Sequence, residues 1–333
     1  MKQKKTSSLS AIMMNQKKRL SVLIPILLLA TAPLFISSSY YIHLLILCFV
    51  YAVIVMNWNV TVGYLGIFNF AHFAFFAIGA YTSGILLKSF GISPLIGLLS
   101  GGLLAVLVAL MLALPSLRVR GIYFALLTFA FQQILYCIIG LNLGDLTGGY
   151  LGLIRIPPFT VGPINFSGIN KIPAYYFAFM IFLLSMYSLY KIINSPIGLS
   201  FKALRDSEKY AVGLGISRYK YQIIGVLYSA FFTGVIGGFY SLYLGAVSPQ
   251  ILDWGILIIV LSMLVIGGLG NFYGPIVAAF GISFLSESLR HQGSYRAIII
   301  AILVLVVVIT RSTNLNEKIM TKVKNLKLSL GGR

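Results

Sequence analysis

SPIGLSFKALRDSEKYAVGLG, residues 195–215, stands in a chain that is otherwise mostly apolar. Only 9% of the 333 residues are charged, yet Lys202, Arg205, Asp206, Glu208 and Lys209 fall within eight positions. At about 2.5–3.5 kcal/mol per charge at the centre of a membrane helix, burying them in hydrocarbon costs on the order of 12–18 kcal/mol. The segment therefore belongs in water. Ser195-Pro196 suits a helix start, and Gly213 and Gly215 suit its stop. Between them a helical wheel puts Lys202, Arg205, Asp206 and Lys209 on one side and Phe201, Leu204, Ala211 and Val212 on another, with Glu208 among the apolar set. This predicts a short amphipathic helix lying along the membrane. Such a helix can rest on lipid headgroups, but Asp206 and Glu208 weaken attraction to anionic lipid. An acid on the apolar side suits a protein partner better.

Either side of this stretch the composition is that of a membrane protein. Hydrophobic residues make up 59% of the chain and the mean hydropathy is +0.96, whereas soluble domains carry roughly 25% charged residues. The net charge of +19 comes largely from the ends: six basic residues precede Leu20 and six lie from Arg311 onward. That is the pattern of cytoplasmic tails, and nucleic-acid binding is set aside. A hydrocarbon core about 30 Å thick needs about 20 apolar residues. Blocks of that kind fall near 20–38, 41–59, 71–87, 94–114, 121–140, 174–193, 221–243, 254–267, 274–289 and 296–311. The eighth and ninth are short, so they are tilted, half-inserted or broken. The expected fold is an all-α polytopic bundle of eight to ten transmembrane helices over 20–311, with basic tails at 1–19 and 312–333. Ten crossings place both tails, Arg118, Arg120 and the 191–220 loop inside, and the charge-poor 141–173 and 244–253 loops outside. Lys17-Lys18-Arg19, an apolar run and Ser37-Ser38-Ser39 also have the shape of a cleavable signal peptide; the later spans favour an uncleaved first helix. Cys48 and Cys137 lie in apolar runs and are expected to fill space.

Two glycine clusters interrupt the apolar blocks. Gly63-Tyr64-Leu65-Gly66-Ile67-Phe68 and Gly267-Gly268-Leu269-Gly270-Asn271-Phe272 share the pattern G-x-L-G-x-F, and Gly274-Pro275 follows the second. Glycine costs about 1 kcal/mol in a helix interior, and non-helical backbone at membrane depth survives only when buried in protein or lining a cavity. Matching breaks in two halves of a transporter point to its path, which makes Gly63, Gly66, Asn69, His72, Gly267, Gly268, Gly270 and Gly274 the candidate translocation path. Tight turns and close helix contacts are the competing account. The other neutral polar groups within spans, Asn57, Asn59, Thr128, Gln132 and Gln133, suit either a small polar solute or interhelical hydrogen bonds. Of the six acidic residues only Glu287 lies well inside a span, where it either snorkels or pairs with Arg290. A carboxylate proton or sodium relay is therefore not expected. No H-E-x-x-H, G-x-S-x-G, C-x-x-C or phosphate-binding G-x-x-x-x-G-K-[ST] occurs, so no catalytic, metal or cofactor residues are assigned and ATP hydrolysis is expected only on another chain.

The run SPIGLSFKALRDSEKYAVGLGI resembles the cytoplasmic coupling segment of permease subunits in the branched-chain (hydrophobic) amino-acid branch of ABC importers. Ser195, Gly198, Ala203, Arg205, Asp206, Glu208, Ala211 and Gly215 match in register, while Leu199 and Ser207 replace the family's usual arginine and asparagine. GYLGIFNFAHFAFFAIGAYTSGIL (63–86), LRVRGIYFALLTFAFQQIL (117–135), LTGGYLGL (146–153), GAVSPQILDW and VIGGLGNFYGPIVAAFGISFLSESL are similar to further family segments in the same order. The resemblance implies a permease fold and a second, related permease subunit. It also implies two ATPase subunits that bind the ATP, one of them gripping 195–215, and an extracytoplasmic solute-binding protein. The expected location is the cell (inner or plasma) membrane. Urea or short-amide uptake shares these motifs. A free-standing channel or secondary carrier would need no partners, and the charged helix argues against it.

Overall fold

The computed structural model describes residues 24–36, 38–116, 119, 121–142, 144–166, 170–289 and 295–312. The N-terminal tail, all but the first residue of the C-terminal tail, and Arg118, Arg120, Arg290 and His291 lie outside them.

The described chain is helical almost throughout. A short α1 (Ile24–Phe35) leads into α2 (Ser39–Asn59), which continues as a π-helical turn to Tyr64. Then come α3 (His72–Phe90), α4 (Pro94–Ser116), α5 (Ile122–Cys137, continuing as a π-helix to Asn142), a four-residue α6 (Gly144–Thr147) and α7 (Ile172–Ile193). The charged stretch forms α8 (Pro196–Asp206) and α9 (Glu208–Gly213). The chain closes with α10 (Arg218–Leu244), α11 (Trp254–Gly267), α12 (Gly274–Ser288) and α13 (Tyr295–Ser312). Six helices, α2–α5, α7 and α10, are long and apolar enough to cross a membrane. All ten expected apolar blocks are helical where described.

Small residues decide how closely the helices approach. Helix α10 lies against α3 and α4, and a Cβ at Gly79 of α3 would come within 2.0 Å of the Gly234 carbonyl of α10. Without side chains at this crossing the two backbones nearly touch. On the other side, α2 packs on α7 and α12 through an aromatic core in which Phe49 meets Tyr175, Phe179, Phe182 and Phe280. Helix α2 is the most buried of the spans, whereas α4, α5 and α7 bury only 33–39% of their residues inside the bundle. Their outward Leu, Ile and Met side chains meet lipid or another chain.

The short α11 has a structural cause. Its 14 residues reach about 21 Å, because the chain from Gly245 to Asp253 turns back into the bundle before the helix begins. Gln132, about halfway along α5, donates to the Leu252 carbonyl at 3.1 Å. Leu153 and Val247 exchange backbone hydrogen bonds of 2.7 and 2.9 Å, so the 147–166 loop is stitched to the same re-entrant chain. The stretch 244–253 is thus not a simple surface loop. Asp253 ends it as the N-cap of α11, accepting from the Trp254 amide at 2.7 Å. Glu287, read as snorkelling or paired with Arg290, accepts from the Tyr40 hydroxyl at 2.8 Å.

Candidate functional site: a charged double helix rooted in two glycine breaks

The charged stretch is not one helix. Ser207 is extended (φ −159°, ψ 103°) and separates α8 from α9. The corner into α8 is fixed by Ser195, whose Oγ accepts from the Ile197 amide at 3.2 Å and donates to the Ile192 carbonyl at 2.6 Å. Gly198 permits that corner, since a Cβ there would lie 2.2 Å from the Ile193 carbonyl. Phe201 and Leu204 are buried as the wheel requires, and Phe201 meets Tyr221 of α10 edge-on. After the break Ala211 is buried too, but Val212 is exposed, because the turn at Ser207 resets the wheel.

Two charges point differently from the sequence reading. Glu208, placed on the apolar side and assigned to a protein partner, pairs instead with Arg218 at the start of α10, at 3.1 Å. Arg205, placed on the water-facing side, is exposed there, but its guanidinium also reaches back to the first glycine break. Its Nε and Nη2 donate to Asp206 Oδ1 at 3.0 and 2.9 Å, and its Nη1 donates to the Gly63 carbonyl at 3.1 Å.

The same guanidinium adjoins the second glycine cluster. A Cβ at Gly270 would stand 2.6 Å from Arg205 Nη1, and one at Gly66 would stand 3.0 Å from Arg205 Cγ; both glycines have positive φ. Asn59 closes the junction from the other side. Its Oδ1 accepts from the Gly270 amide at 2.9 Å and its Nδ2 donates to the Asn271 carbonyl at 2.7 Å. A Cβ at Gly63 would meet Asn59 Oδ1 at 1.9 Å and the Gly270 amide nitrogen at 2.3 Å. The two G-x-L-G-x-F segments therefore lie on one another, with Asn59 on one side and Arg205 on the other. Gly267 and Gly274 oppose each other across the second break, where a Cβ at Gly274 would fall 1.9 Å from the Gly267 carbonyl; Gly268 turns the chain with φ +90°.

Asn69 and His72 lie apart from this junction, at the start of α3. The Asn69 carbonyl accepts from Trp58 Nε1 at 2.5 Å, its Oδ1 accepts from the Ala71 amide at 2.9 Å, and the buried His72 ring stacks on Trp58. Thr128 of α5 accepts from the Phe70 amide at 3.0 Å, and Asn57 joins α2 to Ser185 of α7 at 2.9 Å. Asn69 and Thr128 thus supply partners to the non-helical backbone before α3, as broken backbone in a membrane protein requires. Asn59, Arg218 and Leu65, which fills the notch at Gly225 of α10 beside Phe201, carry the junction without having been singled out for it in the sequence.

Toward solvent the double helix exposes Leu199, Tyr210, Val212 and Leu214, of which Tyr210 is 80% and Leu214 82% accessible. Ala203 is half-buried, and Gly215 turns the chain with φ +83° and no neighbour within 4 Å. A cavity of about 310 Å³ opens beside it, between Gly66–Phe68, Phe124 and Arg205–Glu208. Among the described residues no group of three or more His, Cys, Asp or Glu is placed to hold a metal ion, and both cysteines are free.

Fold and site together define a polytopic helical membrane protein in which two glycine breaks meet beside a charged pair of short helices. Residues 40–309 match the family described as branched-chain amino acid transport system / permease component. The chain belongs to that family. It is 28% identical over 314 residues to the high-affinity branched-chain amino acid transport system permease protein LivM of Escherichia coli K12, covering 88% of this chain and 74% of that one. The LivM of Salmonella typhimurium LT2 is 27% identical with the same coverage. A probable branched-chain amino acid transport permease protein LivH of Methanocaldococcus jannaschii is 26% identical over 229 residues, 66% of this chain and 70% of that one. No solved structure matches the chain significantly.

Proposed function

We propose that this chain is the membrane permease subunit of an ABC importer for branched-chain or other hydrophobic amino acids, working in the cell membrane with both basic tails in the cytoplasm. ATP is bound and hydrolysed by two separate ATPase subunits, a related second permease completes the membrane pore, and an extracytoplasmic binding protein delivers the solute. The observation that carries this reading is the double helix α8–α9, rooted by Arg205 in both glycine breaks and presenting Leu199, Tyr210, Val212 and Leu214 outward. Large exposed apolar side chains mark a surface that a partner protein or the membrane covers, and the family of this chain favours the protein. An ATPase docked there would displace α8 and, through it, the backbone of the breaks, switching access from outside to inside.

The test is expression of the chain with its neighbouring permease, ATPase and binding-protein genes, purification through a tag on this chain, and uptake in liposomes. Copurification of an ATPase and ATP-dependent accumulation of leucine are expected. Accumulation of urea instead of leucine would move the substrate to short amides, and uptake by this chain alone without ATP would make it a carrier.

A further inference from the structure

Helix α2 ends at the first glycine break and α11 at the second. The last carbonyls of a helix lack amides of their own, and the end carries roughly half a negative charge. At the end of α2 the amide four residues after Gly63, that of Ile67, is taken by the Thr61 carbonyl at 2.8 Å. The Gly63 carbonyl is left for Arg205. The turn after α11 brings Gly270 against the same guanidinium, in a position where any Cβ would collide with Nη1. One guanidinium thus reaches the carboxyl end of α2 and packs against the turn that follows α11, and glycines from both clusters make the room for it.

We infer that Arg205 is the positioning residue that couples the charged segment to the membrane breaks: a guanidinium fork that holds the Gly63 carbonyl at the end of α2 with Gly270 of the second break packed against it. The inference rests on the reading of this chain as an ATPase-driven permease and assigns Arg205 one specific contact within it. Asp206 holds the fork through Nε and Nη2 and leaves Nη1 aimed at Gly63. The geometry needs a planar fork, since a lysine ammonium is a point charge on a flexible stem and cannot hold Asp206 and Gly63 in the same fixed directions. When α8 moves it either carries the Gly63 carbonyl with it or breaks this bond, so the access switch and the extramembrane helix share one contact.

The experiment uses the assembled complex with Arg205→Gln and Arg205→Lys, reading ATP hydrolysis per assembled complex with and without solute-loaded binding protein. The expected result is a stimulated-to-basal ratio reduced at least about fivefold in both variants, measured on the complexes that do assemble, the low end of ordinary coupling factors. Reduced assembly with a normal ratio in the complexes that do form would mean that Arg205 only supports the fold, and would overturn the inference. So would a normal ratio in Arg205→Lys, the variant that keeps the charge but not the fork. A wild-type complex that binds no ATPase would instead remove the permease reading itself.

Discussion

At the residue scale, the junction depends on a few groups whose alternatives are sterically or electrostatically excluded. Asn59 serves a backbone donor and a backbone acceptor of the second break at once. Asn59→Ala leaves both without that partner and is expected to cost about 2–4 kcal/mol, read as a lower thermal midpoint of the detergent-solubilised protein; Asn59→Asp, which sets a buried carboxylate oxygen against the Asn271 carbonyl, is expected to cost at least as much. Gly63→Ala places a methyl 1.9 Å from Asn59 Oδ1 and 2.3 Å from a backbone nitrogen. The second contact is with main chain and cannot rotate away, so this variant is expected to lose transport and most of its folded yield. Gly213→Ala is the control: a Cβ there meets nothing within 4 Å, and transport is expected to stay at the wild-type level. Equal behaviour of the two alanine variants would refute the close packing of the breaks.

At the element scale, α8 and α9 are joined to the bundle by different means. Helix α8 is held by buried Phe201 and Leu204 and by Arg205, whereas α9 has the buried Ala211 and the Glu208–Arg218 pair. Arg218 is 8% exposed, and a buried charge whose partner is neutralised is destabilised more than an exposed one. Glu208→Gln is therefore expected to raise amide hydrogen exchange across 208–217 several-fold while α8 keeps its protection. Uniform exchange over both helices would show them to be one unit. The division at Ser207 was not legible in the sequence. Neither Ser207 nor its neighbours is a glycine or proline, and the wheel over 201–212 reads acceptably as one helix; the break follows from where Arg218 and the α10 surface stand. The short α11 was legible as an anomaly of length. Its cause, a re-entrant 245–253 held by Gln132, was not, because Gln132 and Leu252 are brought together only by packing.

At the scale of the whole molecule, the proposed orientation puts α8–α9 inside the cell and the 160–165 hairpin outside. With Cys48 and Cys137 replaced by serine, Tyr210→Cys is expected to react with an impermeant maleimide only after the cells are opened, and Ile164→Cys in intact cells; the reverse pattern would invert the topology. Both target positions are exposed. The sequence by itself determined the membrane class, the helical character of the apolar blocks and the position of the breaks, and it singled out 195–215 as the stretch too charged for hydrocarbon. Each of these follows from the local cost of putting glycine, proline or charge where hydrocarbon would have to hold it. Only the tertiary structure decided that the two glycine clusters touch, that Glu208 answers Arg218, and that the Arg205 guanidinium reaches Gly63. Asn59 and Gly270 are 211 positions apart, and no periodicity along a chain encodes which helix end a flexible, fork-shaped cation will find once the helices have packed.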